Sequence, residues 1–179
     1  ANTLPNIFHK ILKKNIQIIG IDDHSTDNSY KLLQNLDIIL LRNKKRLGYE
    51  KSLSIGLFKA IELNYDYAIT FDADGEHLTS DCKKFKELIL SGYDLILGNR
   101  SYVSRLSEKI GKVIFKSKWG IKDPFCGFKG YNLKKVKELN CFERYRSVGT
   151  DLSLSLISKK SKFINVDIKS AKRKGSSKF

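Results

Sequence analysis

Residues 67–77, YAITFDADGEH, join a short apolar run to two aspartates that are separated by a single alanine. The run has the composition of a strand, and its acidic ending marks the point where the chain leaves the interior. A second run, residues 16–21, is followed in the same way by Asp22 and Asp23. Both runs therefore predict buried strands that carry acidic groups at their carboxyl ends.

Predicted helices alternate with predicted strands along the first hundred residues. The strands cover residues 16–21, 37–41, 67–71 and 94–98, and the helices 4–12, 25–36, 50–63 and 79–90. Thr3 is the expected cap of the first helix, and Thr79 or Ser80 that of the last. This alternation predicts an α/β domain with a mostly parallel sheet flanked by helices.

The second part of the chain is less regular. We expect a basic amphipathic stretch at 104–120, a loop at 123–131, short helices near 132–139 and 150–158, and a strand at 163–168. The amphipathic stretch suits either a membrane surface or packing on the sheet. Residues 170–179 have the composition of a basic tail.

Length and charge restrict the class of protein. A chain of 179 residues is long enough for one domain, and its net charge of +15 favours anionic partners such as nucleic acid, anionic lipid or a phosphorylated substrate. No uncharged apolar run reaches bilayer-spanning length, so we expect a soluble or peripheral protein. The three cysteines suit reduced thiols in the cytoplasm better than a disulfide framework or a zinc site.

The acidic pairs predict a divalent-metal site. Ligands of parallel α/β sheets bind beyond the carboxyl ends of the strands, where both pairs would lie. Carboxylates that repel one another are tolerable there when Mg²⁺ or Mn²⁺ lies between them. Turn formation is the commoner use of aspartate and explains Asp27 and Asp81, but it does not explain Asp72 and Asp74 together.

Six segments in order resemble the motifs of family 2 glycosyltransferases of the GT-A fold. They are IDDHSTDNS (21–29), LGYEKSLSIG (47–56), FDADGEH (71–77), LGNR (97–100), DPFCGFKGY (123–131) and KRKGSSKF (172–179). The resemblance is greatest to the branch that contains dolichyl-phosphate mannose synthase and the bacterial polyprenyl-phosphate glycosyltransferases.

The resemblance implies a metal-dependent, inverting transfer of a sugar from a UDP- or GDP-sugar to a polyprenyl- or dolichyl-type phosphate. It also implies site residues, by matching motif positions. The nucleotide would contact Asp22, Asp23 and Asp72; the metal Asp72, Asp74 and Glu76; the acceptor phosphate Lys129, Lys172 and Arg173; and the catalytic residues would be Asp74, Arg100 and Asp123.

These assignments imply one domain over residues 1–179. Residues 1–100 would bind the nucleotide sugar, residues 101–168 the acceptor, and residues 169–179 would form the basic tail. We expect a cytoplasmic protein that is peripheral at the membrane face, because its excess of basic residues would be drawn to anionic lipid. Nucleic acid is not an expected partner.

The chain departs from the family pattern in three places. Glu50 stands where the second glycine of the Gly-x-Gly segment is expected, and Lys172 replaces the arginine of the closing motif. A lysine keeps the charge but loses the bidentate geometry of arginine. The first strand of the family is absent from the sequence, so the strands beside it would lack backbone partners.

The sequence is also compatible with other functions. A saccharide hydroxyl as acceptor would require a general base, for which Asp123 and Asp151 are the candidates. The FDADGE segment also resembles the nucleophile motif of haloacid-dehalogenase-like phosphatases, although two strands precede it here and no later acidic element matches. A non-catalytic relic that binds a nucleotide sugar and a basic nucleic-acid-binding module are the further alternatives.

Overall fold

The computed structural model describes residues 4–12, 16–73, 77–101, 105–139 and 148–169. The strands are β1 (Ile19–Asp22), β2 (Ile39–Arg42), β3 (Tyr67–Thr70), β4 (Leu95–Arg100), β5 (Lys129–Asn132) and β6 (Phe163–Ile168). The helices are α1 (Leu4–Leu12), α2 (Ser29–Gln34), α3 (Tyr49–Glu62), α4 (Asp81–Leu90), α5 (Leu106–Trp119), α6 (Leu133–Glu138) and α7 (Val148–Ser158). The expected α/β class is confirmed.

The strands form two sheets, one of which mixes directions. β1 and β2 pair in parallel, and the larger sheet has the order β3-β5-β4-β6. β5 is antiparallel to both of its neighbours, whereas β4 and β6 are parallel. Since β3 and β4 both oppose β5, they point the same way, and their carboxyl ends lie at one rim together with the start of β5.

Apolar side chains cover both faces of both sheets. One cluster packs Phe85 of α4 and Phe8 of α1 with side chains from β2, β3 and β4. The other packs Leu57 of α3 with Leu95 of β4 and with Ile19 and Ala68, which belong to different sheets. The two sheets therefore share their apolar layers, and α3 contacts β1 as well as β3.

Each sheet has an edge strand near the other sheet, β1 in the smaller sheet and β3 in the larger one. Among the described strands, β1 bonds to β2 alone and β3 to β5 alone. The facing parts of the two sheets are therefore held together by side-chain packing rather than by a backbone ladder.

Two local expectations are corrected. Residues 129–131, which the sequence places in a loop, form most of β5, because their backbone pairs with β3 on one side and β4 on the other. Ser80 occupies the cap position of α4 without a side-chain bond to the helix. The expected cap Thr3 lies outside the described residues.

Candidate functional site

The loop before β5 closes over the end of β3. Thr70 donates its hydroxyl hydrogen to the carbonyl of Gly127 at 2.6 Å. A β-carbon at Gly127 would overlap Asp72 Oδ2 and would lie 2.8 Å from the hydroxyl of Tyr49. Glycine at this position therefore lets the 123–129 loop lie directly against Asp72, whose side chain keeps 33% of its surface exposed.

Asp23 fixes the N-terminus of α3 to the end of β1. Its carboxylate accepts the backbone N–H groups of Leu47 and Gly48, each at 2.8 Å, and the amide of Asn43 at 2.8 Å. Gly48 has φ +88°, a conformation that favours glycine. Desolvation is the largest single influence on the Asp23 pKa and would raise it, but the hydrogen bonds together outweigh it and hold the pKa below its ordinary value.

Tyr49 connects the two acidic segments. It is the first residue of α3, next to Gly48, and its hydroxyl is hydrogen-bonded to Asp72. Although the residue as a whole is 46% exposed, the pKa of the hydroxyl is raised, first by burial around that group and then by the charge of Asp72. Sequence reasoning missed Tyr49; its place inside the LGYEKSLSIG motif was the available signal.

Asp22 is buried beside Arg42. The guanidinium Nε of Arg42 lies 3.2 Å from Asp22 Oδ2, and the N–H of Ser25 approaches both carboxylate oxygens at 3.3 Å. The Arg42 guanidinium also stacks 4.4 Å from the ring centre of Tyr30. In this state Asp22 supports the turn after β1.

An open cleft of about 570 Å³ follows that turn. Its lining residues are His24, Ser25, Thr26, Asp27, Asn28, Tyr30, Lys31, Gln34 and Arg42. The cleft lies beside the turn that follows Asp22 and Asp23 at the end of β1, and Asp72 is not among its lining residues.

Arg100 and Asp123 form the centre of a charged network at the end of β4. Arg100 donates from Nε to Asp123 Oδ2 at 2.9 Å, from Nη2 to Asp123 Oδ1 at 3.1 Å and from Nη2 to Glu108 at 2.9 Å. The ammonium of Lys112 lies 3.3 Å from Asp123 and donates to the Arg100 carbonyl at 3.0 Å. Sequence reasoning missed Glu108 and Lys112, since neither belongs to a motif.

Burial and the neighbouring cations shift the pKa of the Asp123 carboxyl in opposite directions. The residue is 0% exposed, and burial would raise the pKa of its carboxyl. The hydrogen bond and charge of Arg100, with the charge of Lys112, outweigh burial and keep the pKa below its ordinary value. Asp123 is therefore an ionised group that orients Arg100.

Lys129 lies inside the fold. It is 2% exposed, and its ammonium donates to the carbonyls of Pro124 and Gly149. Burial lowers the pKa of this ammonium to about 8. In this arrangement Lys129 ties the 123–129 loop to α7, and its role toward an acceptor phosphate stays a prediction.

Glu50 has a structural partner at the position where the family resemblance expects glycine. Its carboxylate accepts the backbone N–H of Gly149, in the first turn of α7, at 3.3 Å. A carboxylate in this place satisfies a helix N–H and faces the positive end of the helix dipole.

Several predicted site residues lie outside the described residues. They are Asp74, Glu76, Lys172 and Arg173. Within the described part of the chain, no group of three or more His, Cys, Asp or Glu side chains could hold a metal ion. Asp72 alone of the predicted ligands is described, and its position at the exposed rim suits a ligand.

The cysteines agree with the expected reduced state where they are described. Cys82 and Cys126 are buried thiols, and burial raises the pKa of Cys126 to about 12. Among the helices of the described residues, none combines the length and the apolar composition that a bilayer-spanning segment requires.

The chain is similar to a known protein family, to named relatives and to solved structures. The family model described as "Glycosyl transferase family 2" matches residues 1–149. The chain therefore belongs to glycosyl transferase family 2, and it is a nucleotide-sugar glycosyltransferase. The haloacid-dehalogenase-like phosphatase alternative loses its support, because the family match covers the acidic segment on which that alternative rested.

Two archaeal relatives carry informative names. The UDP-N-acetylglucosamine–dolichyl-phosphate N-acetylglucosaminyltransferase of Methanococcus voltae is 25% identical over 89% of this chain and 76% of its own length. The dolichol-phosphate mannosyltransferase of Pyrococcus furiosus is 26% identical over 64% of this chain and 37% of its own length.

A solved structure shows the same fold. Glucosyl-3-phosphoglycerate synthase from Mycobacterium tuberculosis, in complex with Mn²⁺, UDP and phosphoglyceric acid, matches with a TM-score of 0.77 at 12% identity. The match covers 98% of this chain and 67% of that chain. This likeness confirms the GT-A fold.

Proposed function

We propose that the protein transfers a sugar from a UDP- or GDP-sugar to a polyprenyl- or dolichyl-type lipid phosphate, in a metal-dependent reaction that inverts the anomeric centre. The observation that carries the proposal is the contact between the Asp72 end of β3 and the loop that begins at Asp123. It brings the segment that resembles a donor-diphosphate site against the segment that resembles an acceptor site. The names of the two archaeal relatives support the kind of acceptor.

The donor would lie along the rim from Asp23 to Asp72. Asp22 and Asp23 are proposed for the base and ribose, and Asp72 for the diphosphate. Asp72, Asp74 and Glu76 would hold Mg²⁺ or Mn²⁺, since carboxylate oxygens suit these ions. A bound cation would neutralise part of the charge that grows on the departing diphosphate.

Arg100 is proposed to contact the phosphates. Its Nη1 group takes part in none of the bonds to Asp123 and Glu108. These carboxylates fix the guanidinium plane, so that its remaining donors are oriented before a substrate arrives. Lys129, Lys172 and Arg173 are the further candidates for the acceptor phosphate.

The chemistry favours a phosphate as acceptor. An oxygen of the lipid phosphate attacks the anomeric carbon as the bond from that carbon to the diphosphate oxygen breaks, giving a glycosyl lipid phosphate and a nucleoside diphosphate. The acceptor is already ionised at neutral pH, so no base has to remove a proton. Asp123, one candidate base for a hydroxyl acceptor, is buried and paired with two cations.

Calorimetric titration tests the donor site first. UDP and GDP are titrated with and without Mn²⁺ into the protein and into Asp72→Asn and Asp74→Ala. We expect metal-dependent binding of one nucleotide and at least a tenfold loss in each variant. Asp37→Asn removes the same charge from an exposed position and should bind normally. Binding that ignores the metal would contradict the proposed site.

Transfer assays then identify the acceptor. Labelled UDP- and GDP-sugars are offered with polyprenyl phosphate or with an oligosaccharide. We expect a chloroform-soluble glycosyl phosphate only with the lipid. Product from the oligosaccharide alone would favour the hydroxyl-acceptor alternative and Asp151 as its base. Nucleotide binding without turnover on either acceptor would favour the relic.

A further inference from the structure

Helix α5 presents an apolar stripe to solvent. None of its fourteen residues is buried. The stripe follows helical spacing at i, i+4, i+7 and i+8, and its members are Leu106, Ile110, Val113 and Ile114, with exposures of 72%, 53%, 69% and 53%. A contiguous exposed row of this kind differs from the single exposed apolar residues that are normal on protein surfaces.

The opposite face attaches α5 to the protein. Glu108 and Lys112 bond to Arg100 and Asp123, while Gly111 lies against the Phe125 ring. The ring centres of Phe115 and Phe125 are 6.1 Å apart. These contacts fix the rotation of the helix, so the stripe faces away from the sheet.

Lysines flank the stripe. At 100° per residue, Lys109 and Lys116 lie on one side of it and Lys118 on the other, and all three are exposed. Cations beside an apolar face are the arrangement by which an interfacial helix binds anionic lipid, with its apolar side chains at the acyl boundary and its charges at the headgroups.

We propose that α5 is the surface by which this protein binds an anionic membrane. The proposal goes beyond the transferase function, because it is argued from α5 alone and does not need a lipid acceptor. Lipid is favoured over a second copy of the chain, because a two-fold contact between stripes would bring like-charged lysines together in a protein of net charge +15.

Membrane binding through α5 would also bring the Arg100–Asp123 network close to the membrane surface. The residues that attach the helix, Glu108 and Lys112, are the partners of Arg100 and Asp123. The end of β4 would then lie one helix diameter from the membrane surface, on the order of 10 Å.

Vesicle flotation measures whether the apolar stripe of α5 binds the protein to an anionic membrane. The protein is mixed with vesicles of phosphatidylcholine, alone or with phosphatidylglycerol, and we expect binding to the anionic vesicles. Val113→Asp should lower the partition coefficient about tenfold or more, because an exposed apolar group is replaced by a charge. Leu90→Asp is the matched control, since Leu90 is 75% exposed on α4, and it should bind normally.

Removal of two lysines beside the stripe is a second test of membrane binding by α5. Lys109→Gln with Lys116→Gln should weaken binding to anionic vesicles about fivefold per lysine. Lys83→Gln with Lys84→Gln, exposed on α4, is the matched control. An equal loss in both pairs would mean that overall charge, not α5, binds the membrane and would overturn the proposal.

Two further measurements distinguish a membrane surface from a contact between copies of the chain and from a general loss of folding. Light scattering that shows wild-type dimers and Val113→Asp monomers, with unchanged flotation, would assign the stripe to a contact between copies. Calorimetric nucleotide binding by Val113→Asp should equal that of the wild type. Failure of flotation together with normal nucleotide binding would overturn the membrane surface and leave the transferase proposal standing.

Discussion

Gly127 is the residue at which the smallest change should disturb the site most. Its φ is not positive, so an alanine would bring no backbone strain, but its methyl group would overlap Asp72 and approach the Tyr49 hydroxyl. We expect Gly127→Ala to displace Asp72, to abolish metal-dependent nucleotide binding and to cost about 1–3 kcal/mol of unfolding free energy.

Gly56→Ala is the control for that experiment. Gly56 lies inside α3, and its added methyl would meet Ile21 at an ordinary 3.4 Å. Alanine is the better helix former, so we expect unchanged nucleotide binding and equal or higher stability. Normal nucleotide titration of Gly127→Ala would show that the loop can move away from Asp72 at no cost to the site.

Lys129 should give the stability curve a specific pH dependence. Burial lowers the pKa of its ammonium to about 8, from an ordinary 10.5. Between these values the unfolded chain binds more protons than the folded one, so the contribution of Lys129 to stability rises with pH across this window. Below pH 8 both states are protonated and the contribution is constant.

Urea unfolding at several pH values measures this effect. The unfolding free energy of the wild type minus that of Lys129→Met should grow by on the order of 1–3 kcal/mol between pH 8 and 10.5. Other titrating groups cancel in the difference. A flat difference for Lys129→Met would show that its ammonium titrates normally.

Motif residues of the site could be predicted from the sequence, whereas their supporting contacts could not. Asp72, Arg100 and Asp123 follow apolar runs or stand in recognisable segments. Tyr49 and Lys112 contribute through contacts between segments that are far apart in the chain, and no local pattern records such contacts. The inward position of Lys129 was missed for the same reason, since it depends on the carbonyl of Gly149.

At the scale of elements, the caps of two helices should differ in their contribution to stability. Asn132 accepts the N–H groups of Lys134 and Lys135 at the start of α6 and donates to Asp94. We expect Asn132→Ala to cost about 1–2 kcal/mol. Ser80→Ala, at the start of α4, should cost almost nothing, because its hydroxyl makes no cap bond.

Thermal unfolding of the two variants checks this difference. Circular dichroism in the far ultraviolet should show a lower midpoint for Asn132→Ala and an unchanged one for Ser80→Ala. Equal shifts would mean that the side-chain bonds of Asn132 do not set the stability of α6.

Elements with a strong local signal were predicted closely, and those stabilised by distant partners were not. The strand at 163–168 was predicted with the bounds of β6, since an alternating, β-branched run is a local property. β5 has the sequence KGYN, which resembles a loop, and it becomes a strand only because β3 and β4 supply partners on both sides.

At the scale of the whole molecule, strands that are paired on both sides should be better protected from hydrogen exchange than strands at a sheet edge. β4 is paired on both sides, whereas β1 and β3 each pair on one side among the described strands. Hydrogen exchange followed by mass spectrometry should therefore find the slowest amides in Leu95–Arg100. Protection of β1 and β3 equal to that of β4 would reveal that another part of the chain covers their edges.

The division of the rim between two sheets has a mechanical consequence. Asp23 extends from the smaller sheet and Asp72 from the larger one, and the first residues of α3 join them. A substrate that contacts both carboxylates, directly or through a cation, would link the two sheets at the boundary where no described strand pairing joins them. By thermodynamic linkage, the free energy by which a bound substrate favours this arrangement of the two sheets equals the free energy by which the arrangement favours substrate binding.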